Sequence, residues 1–198
     1  GKSEPLSEGT RVFLDVEGLP DRDFYYLIGI RIEGESGAIQ HSFWADSQTD
    51  EKKIWENFLL IISEVYRPIL FHYGSYEKTF IRKMIERYGI STELSSVKIS
   101  IESSINLFSV LYARIYFPTY SNGLKEIANF LSFKWFDTSA SGLLSITWRH
   151  KWESFGEVEL RNRLITYNTN DCEALSLVAY TVTTLQSPEV VSNELEVR

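Results

Sequence analysis

The chain has 198 residues, enough for one domain with a sizeable core, and 43% of them are hydrophobic. Its net charge of −7 excludes the uniformly basic surface of an ordinary nucleic-acid binder, and no apolar run approaches the roughly 20 residues of a membrane span. A single cysteine, Cys172, excludes an intrachain disulfide and a cysteine-based zinc cluster; with no signal peptide at the N-terminus, a reducing, cytoplasmic setting is the expectation.

Residues 1–9 are polar and predict a disordered segment ahead of a domain over 10–186. Arg11–Glu17 begins with an apolar, β-branched and aromatic run that reads as a buried strand. Side chains two apart on a strand share a face. Asp15 and Glu17 therefore aim together from its end, where Gly18-Leu19-Pro20 breaks it. This is either a polar turn or a pair of carboxylates set at the exit of a hydrophobic strand. Tyr25–Ile32 and Ala38–Trp44 read as two further strands, joined as a hairpin by Gly34-Glu35-Ser36-Gly37.

Thr49 or Asp50 is suited to cap a helix running to about Val65, with Ile54, Phe58, Leu59, Ile61, Ile62 and Val65 on its apolar side. Residues 68–72 read as a core strand, after which Gly74-Ser75 opens a helix over 75–88. Glu77 falls in its first turn, as an acid complementing the helix dipole or as a ligand. His72, just before, is either a core histidine or a substrate contact. Ser96–Ile101 is expected to be a fifth strand.

From Ser104 the chain is expected to be mainly helical. A loop over 117–123 leads to a short amphipathic helix, Leu124–Leu131, in which Lys125 meets a phosphate or is a plain surface lysine. A second loop over 137–142 precedes a helix carrying Trp148-Arg149-His150-Lys151-Trp152. Its mix of cations and aromatics makes Arg149 and Lys151 backbone contacts for a polyanion, or else a solvated face; Arg161 and Arg163 invite the same two readings. The last helix spans about six turns, with Leu160, Leu164, Ile165, Ala174, Leu175, Leu177 and Val178 apolar. Tyr167 and Asp171, four apart, share one of its faces. Cys172 is expected to turn into the core. Residues 187–198 are polar and acidic and read as a boundary to another domain.

Three strands, a helix, a strand, a helix and a strand predict an α/β fold. It is a mixed five-stranded sheet flanked by helices, of RNase-H-like order, with a helical C-terminal half. Hard divalent cations take carboxylate oxygens from several directions. Asp15 and Glu17, then Glu77, then Tyr167 and Asp171 supply such groups from three distant segments. In this combination and order the chain resembles the DnaQ-like DEDD 3′–5′ exonucleases of the tyrosine subclass. It more closely resembles the RNase-H-like nuclease domain found beside RecB-type nuclease domains. The resemblance spans about 10–185.

It implies two Mg²⁺ or Mn²⁺ ions held by Asp15, Glu17, Glu77 and Asp171. Tyr167 would orient or deprotonate the attacking water, and the substrate would be single-stranded DNA or RNA. The segment around Lys125 approaches nucleic acid in that family. The middle motif departs from the family: an asparagine five residues before an aspartate is usual, and here His72 and Glu77 stand at that spacing. Glutamate reaches one methylene further. The alternative is a catalytically impaired nucleic-acid-binding module, or an accessory domain working beside other domains of a larger nuclease.

Overall fold

The computed structural model describes residues 9–185; the expected disordered lead-in, up to residue 8, and the tail over 187–198 lie outside them. Strand β1 (Thr10–Leu19) is central. It pairs antiparallel with β2 (Phe24–Gly34), which pairs antiparallel with β3 (Gly37–Trp44). On its other edge β1 pairs parallel with β4 (Pro68–His72), and β4 with the two-residue β5 (Ile105–Asn106). The order is β3-β2-β1-β4-β5, a mixed five-stranded sheet.

Helices cover both faces. Asp15 lies opposite Gly29 in the β1–β2 register, and α7 (Val158–Leu185) packs over that face. The alternate side chains Val12, Leu14, Ile28 and Ile30 are also buried. They face α1 (Glu51–Glu64) and α2 (Tyr76–Tyr88), which pack on β2 and β1. Trp55 and Phe58 of α1 and Phe80 of α2 are fully buried, and each large side chain so removed from water contributes roughly 1.5–3 kcal/mol. Cys172 is buried, as its helical position requires. Among the described residues no helix is long and apolar enough to cross a membrane.

Helix α1 is preceded by a 3-10 turn, Gln48–Asp50. Asp50 sits at the helix N-cap but its carboxylate turns back, accepting from the Ser47 N–H at 3.0 Å.

The fifth strand is not where the sequence pattern puts it. Ser95–Glu102 is helix α3, and the strand follows at 105–106. Val97, Ile99 and Ile101 alternate like strand residues, but only Val97 and Ile101 are buried and Ile99 is 67% exposed. The four-residue spacing of the buried pair is the helical one.

The remaining helices are α4 (Leu107–Arg114), α5 (Leu124–Phe130) and α6 (Gly142–Phe155). With α7 they make the helical half, and they bring the last motif back over the end of β1.

Candidate metal centre

β1 supplies the first two acids. Asp15 and Glu17 point to one face, and a bulge between Glu17 and Gly18 shifts the register there. α7 crosses above them. Its residue Asn168 donates to the Asp15 carboxylate at 2.7 Å and to the Asp15 carbonyl at 3.0 Å. That contact requires Gly29 beneath it, because a Cβ at Gly29 would meet Asn168 Oδ1 at 1.8 Å. A glycine inside an otherwise apolar strand marks this close approach. One turn further along α7, Asp171 reaches the same place. Oxygens of Asp15, Glu17 and Asp171 lie within 4.8 Å of one another.

Two more neutral donors fix this trio. Trp135, between α5 and α6, donates its indole N–H to Asp171 Oδ1 at 2.7 Å. Ser145, on α6, donates to Glu17 Oε2 at 2.7 Å. Neither was expected from sequence, nor was Asn168. For Asn168 the signal was present, since it lies three residues from Asp171 on a helix and opposite a strand glycine. For Trp135 and Ser145 none was, because each comes from an element whose docking the local pattern does not specify.

Glu77 stands apart. Gly74, at φ 90°, turns the chain from β4 into α2, and Glu77 in the first turn is buried at 5% exposure rather than solvated. It is not within 4.8 Å of all three other acids. Its Oε2 has no hydrogen-bond partner and lies 3.9 Å from His72 Nδ1, which has none either. His72 is buried, and burial holds its imidazole below the ordinary value.

The electrostatics are those of crowded, buried acids, with Lys125 lowering Asp171 alone among the four. Burial, then the charges of Asp171, Glu17 and Glu77, push Asp15 far above the ordinary carboxylate range. Glu17 rises to about 8, first through burial, against the Ser145 hydrogen bond and with Asp171 and Glu77 adding to the rise. Glu77 also rises to about 8, through burial and Asp171. Asp171 rises only to about 6, because hydrogen bonds from Trp135 and Tyr167 and the charge of Lys125 offset its burial. Tyr167 is a hydrogen-bonding neighbour of Asp171, and burial followed by the charges of Asp171, Glu17 and Asp15 drives its phenol far up.

An all-oxygen donor set of this kind, with its acids pushed toward protonation and one buried carboxylate oxygen unpartnered, fits a hard divalent cation. Asp15, Glu17 and Asp171 form a cluster able to bind one.

The basic residues separate into two groups. Lys125 is at the site: its ammonium lies 5.1 Å from the Tyr167 ring centre and 5.4 Å from that of Trp135, and it donates to the Ala140 carbonyl. Arg149 corrects an expectation. It has no solvent exposure, donates to the carbonyls of Ala45 and Asp46 at 2.9 and 2.7 Å, and pairs with Glu153 at 3.0 Å. Rings of Phe24, Tyr26, Trp44 and Trp152 surround it within 5.4 Å. The cation-aromatic motif is an internal anchor for α6, with no donor turned to a phosphate. Arg163 is likewise engaged, by Asp137 and the Trp148 ring, and Arg161 lies over Trp44. Lys151 is exposed on α6.

A family model described as RNase_H superfamily matches residues 12–183, nearly all of the described chain. The chain belongs to the RNase H superfamily. Members of that superfamily include nucleases that use divalent metals on nucleic acid, and the acidic cluster of this RNase H superfamily domain sits at the C-terminal end of its central strand. No curated protein matches the chain.

Proposed function

We propose that this domain is a metal-dependent nuclease of the DnaQ-like DEDD type, tyrosine subclass. It would hydrolyse single-stranded DNA or RNA as a 3′–5′ exonuclease. One observation carries the reading: carboxylate oxygens of Asp15, Glu17 and Asp171, from segments at opposite ends of the domain, lie within 4.8 Å of one another, with Tyr167 hydrogen-bonded to Asp171. Bound Mg²⁺ or Mn²⁺, two ions in the reading offered here, supplies Lewis-acid stabilisation of the attacking and leaving oxygens and lowers the pKa of the attacking water.

Asp15, Glu17 and Asp171 hold the cations, and Glu77 completes the set from α2. Asn168, Ser145 and Trp135 keep the three first carboxylates oriented. Tyr167, hydrogen-bonded to Asp171, orients or deprotonates the attacking water. Lys125 sets the position of the Tyr167 ring, and Lys151 remains the candidate phosphate contact on α6. Arg149 is left out, since its N–H groups are spent inside the protein.

A second reading rests on the position of Glu77 outside the trio. It is a catalytically impaired nucleic-acid-binding module, or an accessory domain active only within a larger nuclease. Digestion of 5′-labelled single-stranded DNA and RNA with Mn²⁺ or Mg²⁺, against EDTA, Asp15→Ala and Asp171→Ala controls, separates the two. A metal-dependent ladder of shortening products, lost in both variants, supports the exonuclease. Folded wild-type protein that cleaves neither nucleic acid supports the second reading.

A further inference from the structure

A row of aromatic rings begins at Tyr73, next in the chain to His72, and continues along α4. Tyr73 immediately follows His72 at the end of β4. Its ring meets Phe108 edge-on, centres 5.8 Å apart, and Phe108 lies nearly parallel to Tyr112, centres 6.3 Å apart and planes 19° apart. The row is held in place at its inner end. Asn106 accepts from the Gly74 N–H at 3.0 Å and from the Phe108 N–H at 3.1 Å, tying the loop that leads to Glu77 to the start of α4. The Tyr73 hydroxyl donates to the Asn122 carbonyl. Exposure then grows outward, from 36% at Phe108 to 77% at Tyr112 and 88% at Tyr116.

Such exposure of large rings needs a reason, because burial of each is favourable. The charge pattern supplies one. Aspartate and glutamate number 27 in the chain, yet none occurs between Glu102 and Glu126. The same stretch holds five aromatic residues, with Arg114 and Lys125 as its basic residues. Within this stretch no acid repels a partner with flat apolar faces and a negative backbone.

We propose that Tyr73, Phe108 and Tyr112 form a stacking platform for unpaired bases of a single strand whose end lies at the carboxylate cluster. The inference rests on the nuclease reading only for where that strand ends. Because rings rather than cations carry the contact, binding is expected to depend on bases and weakly on salt, with few phosphates neutralised.

The test is anisotropy of a labelled oligothymidylate with the full chain and Ca²⁺, which takes the same oxygen ligands with looser geometry. Wild-type protein should bind it at least about tenfold more tightly than a strand of equal length with abasic positions. Tyr112→Ala should weaken binding about tenfold, and Phe108→Ala with Tyr112→Ala about a hundredfold, the range of base stacking on aromatic side chains. Tyr112→Trp should restore it. Equal affinity for the abasic strand, or a double variant that binds like wild type, overturns the platform. Ring-dependent self-association without oligonucleotide binding assigns the face to a second copy and overturns it too. Hydrolysis by wild-type protein of a small phosphodiester lacking a base tests the nuclease reading separately. If it proceeds while binding ignores the rings, the platform fails and the nuclease stands; if it is absent while base-dependent binding persists, the reverse holds.

Discussion

Asp15, Glu17 and Asp171 each accept a hydrogen bond from a neutral side chain of the C-terminal half, whereas Glu77 faces His72 at 3.9 Å with Oε2 unpartnered. These hydrogen bonds hold the first three in one arrangement. The fourth, with no side-chain donor on its buried Oε2, keeps freedom to adapt. Supporting hydrogen bonds orient metal ligands and are worth about 10–100-fold in affinity or activity. The comparison assigns the cluster's rigidity to the β1–α7 pairing and its adaptability to the start of α2.

The largest effect is expected from the trio itself. Asp15→Asn or Asp171→Asn should lower metal-dependent hydrolysis on the order of a thousandfold, the upper range for loss of one preorganised electrostatic group. Next comes a stability effect away from the site. Arg149→Ala should destabilise the fold by about 3 kcal/mol, through the emptied ring cage and the Ala45 and Asp46 carbonyls left without their donor. Denaturant unfolding measures it, and a surface role for Arg149 would leave the midpoint unchanged. Removing a donor should cost less than removing an acid: Trp135→Phe or Asn168→Ala should weaken Mn²⁺ binding about 10–100-fold by calorimetry. Glu77→Gln should cost about tenfold, the low end of that range, and Glu77→Asp should shift the preference from Mn²⁺ toward Mg²⁺, because Mg²⁺ demands nearly ideal octahedral geometry. A loss in Glu77→Gln as large as that in Asp171→Asn would erase the contrast between braced and unbraced acids.

Acidity sharpens the same contrast. Glu17 and Glu77 titrate near about 8 in the folded protein, against an ordinary 4.5. Between those values the folded, metal-free protein binds more protons than the unfolded chain, so its stability falls as pH rises through the window. Cation binding displaces those protons. The gain in melting temperature on adding Mn²⁺ should therefore be small at pH 5.5 and large at pH 8. A gain that is equal at both would mean that these acids do not face the ion.

How much of this was legible in the sequence follows from the same physics. The alternation of Arg11–Glu17 and the four-residue spacing of Tyr167 and Asp171 are local signals, and both placed their side chains correctly. The order of elements along the chain through α2 was readable as well, and the next strand was misplaced. There Val97, Ile99 and Ile101 satisfy both a strand and a helix period, and only packing against the sheet decides between them. Arg149 misled because a cation beside aromatics looks the same in sequence whether the rings face solvent or close around it. Trp135 and Ser145 were silent because a single donor on a distant loop or helix leaves no periodic trace. Gly29 was the one long-range clue in plain view, a missing side chain where another helix comes close.

The most direct test of the central claim, that Asp15, Glu17 and Asp171 together form a divalent-metal centre, is calorimetric titration of Mn²⁺ at pH 8. It should compare the wild-type chain with Asp15→Asn and Asp171→Asn. Saturable binding with proton release in the wild type, weakened at least about a hundredfold in both variants, is the predicted result. Equal binding by all three proteins, or none by the folded wild type, would contradict it.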